Sequence, residues 1–263
     1  MKLKIIILAA FVFTMAPSFS QTVTLKQIGR DNLLLQFSFA EYLNGNFYTI
    51  TNNTLFKTDL ITGEQTKVGN TSFQKTQFFF GLKNKLYSLD NDGSLTQVDP
   101  ATGAWTSVSG IGSWLRLNKI IVVKNFMYAI ENGALYFYPA LNPQLRKQIG
   151  GSDFYDTGIL MRTDSTLHSL IRDGSVYEIN LTTGEWKKIG KGRLWKYAKA
   201  GAVLNTKLYT VETPSSLFET NLADGERKEL DNSQFKKFKL LFSELGKLYG
   251  ISNDGTLYEI SFN

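Results

Sequence analysis

The 263-residue chain contains no cysteine and a single histidine, His168. The first absence excludes disulfides, thiolate metal sites and lipid attachment through a cysteine. With one imidazole only, zinc, copper and haem sites also lose their usual donors. A Ser-His-Asp triad would have to use His168, and no G-x-S-x-G elbow is present. Charge of one sign is scarce too. The 29 Lys and Arg stand against 23 Asp and Glu, and the basic residues are scattered. The densest cluster is Lys236-Lys237-Phe238-Lys239. So mild an excess describes solvated surface, and no nucleic-acid partner is expected. No segment sustains a 3.6-residue apolar period, so little helix is expected.

Long apolar runs are missing apart from one at the start. Lys2 and Lys4 precede an apolar stretch from Ile5 to Met15, and Ser18 and Ser20 place small side chains before Gln21. That is the order of an export signal peptide, residues 1–20. The stretch falls short of the roughly 20 residues a membrane span needs, so no transmembrane anchor is expected after cleavage. The product would be exported, periplasmic or secreted, and held together by core burial alone. Residues 21–263 are long enough for one all-β domain.

Six copies of one pattern fill that domain. An apolar residue followed by Tyr recurs as Phe47-Tyr48, Leu86-Tyr87, Met127-Tyr128, Leu208-Tyr209 and Leu248-Tyr249, with Leu167-His168 between the third and fourth. A second apolar anchor follows at Leu55, Leu95, Leu135, Val176, Leu217 and Leu257. Both anchors hold a period of about 40 residues, as propeller blades do. Within a copy, apolar and polar residues alternate over short runs, as strands do. Turn residues separate the runs: Asn91-Asp92-Gly93, Asp173-Gly174 and Asn253-Asp254-Gly255, then Thr62-Gly63, Thr102-Gly103, Thr183-Gly184 and Asp224-Gly225. Each copy therefore supplies four strands, A to D, and the fold class is an all-β, six-bladed propeller with four antiparallel strands per blade.

The last copy stops after its third strand. Strand D of the others ends in an apolar residue, at Val68, Val108, Ile149, Ile189 and Leu230. One period before Val68 lies Ile28, inside Thr22-Val23-Thr24-Leu25-Lys26-Gln27-Ile28. The N-terminal strand is thus expected to complete the final blade and close the ring, which removes the open edges.

Chemistry-bearing residues are few. His168 replaces a repeat tyrosine, which reads as a half-buried structural position more readily than as a base or metal ligand. Asp90 and Asp92 could serve calcium binding or hydrolysis. They fill a turn that reads Thr51-Asn52-Asn53 in another copy, so turn chemistry accounts for them. No catalytic residue, metal or cofactor is assigned, and a non-enzymatic role is expected. What recurs is a large apolar position thirteen residues before the anchor pair: Leu34, Phe73, Trp114, Phe154, Trp195 and Phe235. It lies in the connection between blades. Such rings either pack between blades or offer faces to sugars. Position alone favours packing. The five aromatic members are nonetheless the candidate ligand-binding residues, and Trp114 and Trp195 are the strongest platforms. Trp105 and Trp186 fall on strand D and read as surface or inter-blade packing.

The stretch Phe235-Lys236-Lys237-Phe238-Lys239, then Gly246-Lys247-Leu248-Tyr249, then Asp254-Gly255-Thr256-Leu257-Tyr258 resembles the repeat of the tachylectin-2-like β-propeller lectins. The likeness recurs in weaker form through all six copies. It departs from the family in having six copies in place of five, a shorter period, and Phe or Leu for Trp in four copies. The resemblance implies N-acetylated sugar binding in pockets between blades. The expectation is an exported, monomeric binding module for a glycan through its inter-blade loops, or a protein-interaction scaffold for a cell-envelope protein.

Overall fold

The computed structural model describes residues 22–163, 165–231 and 233–263. The export signal read at residues 1–20 lies outside them. Alternating strands and tight turns give six four-stranded antiparallel sheets arranged as blades of a propeller. In order A to D, blade 1 runs Phe37–Leu43, Asn46–Thr51, Thr54–Asp59 and Gln65–Lys67. Blade 2 runs Thr76–Leu82, Lys85–Asp90, Leu95–Val98 and Trp105–Ser109. Blade 3 runs Leu117–Val123, Phe126–Glu131, Ala134–Tyr138 and Lys147–Gln148. Blade 4 runs Thr157–Arg162, Leu167–Ile171, Val176–Ile179 and Trp186–Ile189. Blade 5 runs Ala198–Leu204, Lys207–Glu212, Ser216–Asn221 and Arg227–Asp231. Blade 6 runs Phe238–Glu244, Lys247–Ser252 and Leu257–Phe262, with Val23–Ile28 as its fourth strand.

The chain ends therefore close the ring as the sequence predicts. Val23 pairs with Phe262 and Ile28 with Leu257. Beyond the strand, Thr22 and Asn263 exchange two backbone hydrogen bonds of 2.9 and 3.0 Å. Val23 and Ile28 are buried, so the strand is stitched by side chains as well as by its ladder.

Each A strand carries a bulge near its start, as between Phe37 and Phe39 or Thr76 and Phe78. Such bulges bend a strand and increase its twist. The apolar side chains gather in six clusters, and each joins two neighbouring blades. Phe80, Leu95, Trp114 and Met127 share one between blades 2 and 3; Val123, Leu135, Phe154 and Leu167 share the next. The core is thus a set of seams, and no blade buries its faces alone.

At the outer rim, the C–D turn of one blade abuts the end of strand D of the blade before it. The turn is set locally. Asp59 Oδ1 accepts from the Ile61 and Thr62 amides, and Asp99, Asn180 and Asn221 cap the matching turns. A glycine ends the turn, with φ of +73° at Gly63 and Gly184. A Cβ on Gly63 would lie 2.2 Å from Gly29, and one on Gly184 would lie 1.9 Å from the Ile149 carbonyl. Gly103 meets Gly69 and Gly225 meets Gly190 in the same way. Blade 3 has no such turn. Its C–D connection holds a 3-10 turn at Pro143–Leu145, and its outer strand shrinks to two residues. No helix of the described residues is long and apolar enough to cross a membrane.

Candidate functional site

The repeated aromatic position is the plug of each seam. The amides of Leu34, Phe73, Trp114, Phe154, Trp195 and Phe235 donate to carbonyls in the B–C turn of the preceding blade, at 2.8 to 3.2 Å. Those acceptors are Gly255, Asn53, Gly93, Gly133, Gly174 and Ser215. The side chain then drops into the seam, and all six are 3 % exposed or less. Trp114 Nε1 donates to Ser109 Oγ at 2.8 Å, and Trp195 Nε1 to Thr220 Oγ1 at 3.2 Å. Phe73 packs edge-on against Phe79 and Trp105, and Phe235 lies 4.9 Å from Phe238. The five rings named as stacking platforms present no open face. Burial and the turn contact account for their recurrence.

An open aromatic lies nearby. A groove of about 900 Å³ runs along the rim between blades 3 and 4. Its aromatic is Trp186, the first residue of strand D in blade 4, half-buried against Tyr177 at 4.6 Å and Phe154 at 5.2 Å. Around it stand Gln148, Asp153, Asn180, Glu185 and Lys187. Gln148 Nε2 donates to the Gly150 carbonyl, and its Oε1 accepts from Tyr136. Both contacts hold the amide at the groove wall. Blade 3 leaves this space because its outer strand is short. Sequence reasoning placed Trp186 at the rim but missed the groove, since its walls come from two blades.

The loop face carries a different feature. Leu115, Tyr155 and Tyr197 follow the plugs closely and stand 60 %, 75 % and 62 % exposed. Ile111 and Leu194 extend the same arc over three successive inter-blade connections.

At the opposite end of the channel, where the A strands turn into the B strands, three ionisable side chains line one cavity. Arg162 Nη2 lies 2.7 Å from Glu244 Oε1. Glu41 reaches the same cluster. Burial pushes its carboxyl up to about 8, the Glu244 charge adds to that, and Arg162 with the Gly81 amide oppose it. They line a cavity of about 210 Å³ with apolar walls.

His168 is buried, with no hydrogen bond to either ring nitrogen. In other blades the tyrosine here reaches across, as Tyr87 to Gln97 and Tyr209 to Glu219. The shorter imidazole stops 3.7 Å from Glu178, and burial holds its pKa below the usual value. Asp92 accepts from the amide and hydroxyl of Ser94, as turn chemistry requires. Among the described residues, no three His, Asp or Glu side chains converge as a metal group.

No protein-family model matches the chain, and no curated protein is significantly similar to it. Solved structures do match. The extracellular domain of the putative one-component system BT4673 from B. thetaiotaomicron superposes with a TM-score of 0.57 at 15% identity, over 86% of this chain and 33% of that one. PorZ, a surface component of the type-IX secretion system of Porphyromonas gingivalis, gives 0.52 at 12% identity, over 89% and 33%. The computationally designed protein Ika8 gives 0.50 at 15%, over 87% and 73%. The chain thus spans about a third of the two natural chains. At these identities the likeness is one of fold alone, that of a β-propeller.

Proposed function

We propose that the chain is an exported, non-catalytic binding module that takes glycans in the rim groove between blades 3 and 4. The observation that carries this reading is the half-buried Trp186 ring standing in a groove among amide, carboxylate and ammonium side chains. An aromatic face accepts sugar C–H groups, and the polar groups around it bond hydroxyls. The groove's size suits a ligand of one or two rings. Asp153, Glu185 and Lys187 mix their signs, which favours neutral or N-acetylated hexoses over a highly charged chain. Phe154, expected as a platform itself, acts behind Trp186 as its support.

The test is intrinsic tryptophan fluorescence titrated with N-acetylated and neutral hexoses and their short oligomers. A saturable shift is expected, lost in Trp186→Ala and retained in Trp105→Ala. A flat response across the panel, or a shift that survives Trp186→Ala, would overturn it. The arc of Ile111, Leu115, Tyr155, Leu194 and Tyr197 favours a second reading, a scaffold that docks an envelope protein on the loop face. Under that reading Tyr155→Ala with Tyr197→Ala abolishes partner capture, and Trp186→Ala does not.

A further inference from the structure

The second half of strand A is apolar in most blades, and its three charged members fall together. Opposite the anchor Tyr or His, the A strands of blades 2 to 6 place Phe80, Ile121, Met161, Ala202 and Phe242. Blade 1 places Glu41 there. One residue on, blade 4 has Arg162 where blades 1, 2, 3, 5 and 6 have Tyr42, Gly81, Val122, Val203 and Ser243. Two residues on, blade 6 has Glu244 where blades 1, 2, 3 and 5 have Leu43, Leu82, Val123 and Leu204. Three departures from the repeat, in three separate blades, converge on one cavity.

Arg162 is shared: it pairs with Glu244 at 2.7 Å, while its charge and the Gly81 amide act on Glu41 without overcoming that carboxyl's desolvation. A desolvated carboxylate whose nearest cation is shared with a second carboxylate is costly, so Glu41 keeps its proton. The wall beside it is formed by Phe47 stacked on Phe242, 4.7 Å apart, with Ile121 and Met161 on the remaining sides. Aromatic faces and carboxylates together suit a cation with an apolar stem. The volume lies below that of pockets for drug-sized ligands, so the occupant is a fragment or a side-chain tip. Lys83 and Lys124 stand at the mouth and disfavour a polycation.

We propose that this cavity binds a single organic cation, a primary ammonium or guanidinium on a short apolar stem, held by Glu41 and Glu244 against the Phe47–Phe242 wall. The site lies at the other end of the channel from the loop face, and it stands whether or not the rim groove takes sugar. Binding replaces the proton on Glu41 with the ligand's charge, and the proton leaves to buffer.

The experiment is calorimetric titration of the purified protein near neutral pH, in two buffers of different ionisation enthalpy. The probes are n-butylammonium and n-butylguanidinium, with butyrate as control, taken to about 20 mM to capture fragment affinities. Saturable binding of the cations and not of butyrate is expected, with close to one proton released per cation. Glu41→Gln should weaken binding about tenfold or more and abolish the proton release. Glu41→Met, which restores the apolar pattern of the other blades, should fold and fail to bind. A capped Gly-Lys-Gly peptide separates the sources: binding at least as tight as butylammonium points to a partner's lysine tip, and no binding points to a free amine. Absence of saturable heat with both cations, or unchanged affinity in Glu41→Gln, would reduce the cluster to a structural staple.

Discussion

The outer rim and the turn end of the channel obey different rules. At the rim the repeat is kept where blades touch. Gly63, Gly103, Gly184 and Gly225 each end a C–D turn at positive φ and meet backbone of the preceding blade. At the channel end the repeat is broken three times, by Glu41, Arg162 and Glu244, and the breaks face one another. Packing tolerates only one solution where backbone meets backbone. An inner strand edge facing a cavity is under no such constraint, so specific chemistry can be placed there.

The largest effect should come from the rim. Deleting residues 21–29 removes the strand that completes blade 6 and leaves Leu257–Phe262 as its unpaired outer edge. Thermal denaturation followed by circular dichroism should lose its single cooperative transition. A truncated chain melting at the parent temperature would show that the ring does not depend on closure.

A smaller rim effect isolates one seam. Gly184→Ala puts a Cβ into the Ile149 carbonyl and should cost about 2–4 kcal/mol. Gly45→Ala has similar positive φ with nothing within 4 Å, and should cost about 1 kcal/mol. Chemical denaturation of the pair measures the difference, and equal losses would mean that backbone conformation alone matters at the rim.

An effect smaller than that of Gly184→Ala belongs to the channel end. The Glu41 carboxyl titrates at about 8 in the folded chain, above its ordinary 4.5. The folded state therefore holds this proton more tightly than the unfolded state does. Its stabilisation is complete below 4.5 and is lost as pH rises through about 8. Because Glu41 is half-buried, the loss between about pH 5 and 9 should be about 1–2 kcal/mol, less than the full shift would give. Stability against pH for parent and Glu41→Met should diverge over that window, and parallel curves would remove Glu41 as the titrating group.

Much of the rim was legible in the sequence. Strand D ends in an apolar residue at a fixed offset, so the sequence alone assigns Ile28 to blade 6. The turn glycines declared themselves by their Thr or Asp neighbours. The plugs were legible as repeats, and the balance toward packing follows from their burial, but the hydrogen bond from each plug to a B–C turn is a three-dimensional fact. Blade 3 diverges because Pro143 and its neighbours replace the tight turn, which shortens the outer strand and opens the groove beside Trp186. Glu41, Arg162 and Glu244 depart from the aligned repeat, a signal the sequence reading did not pick up. Their meeting was not legible, because separations of roughly three and five blade periods do not predict contact without the curvature of the ring.

The pairing of Val23–Ile28 with Leu257–Phe262 has a consequence in time. Within the propeller, the strand made first finds its partner only in the strand made last. Blades 1 to 5 can assemble in order as the chain lengthens, while Val23–Ile28 waits unpaired and blade 6 lacks its outer edge. The contact of longest sequence separation is thus the final one, where the loop-closure penalty on folding rate is greatest. Any product that stops before Leu257 would carry an idle β-edge at its beginning, ready to pair with another unfinished chain.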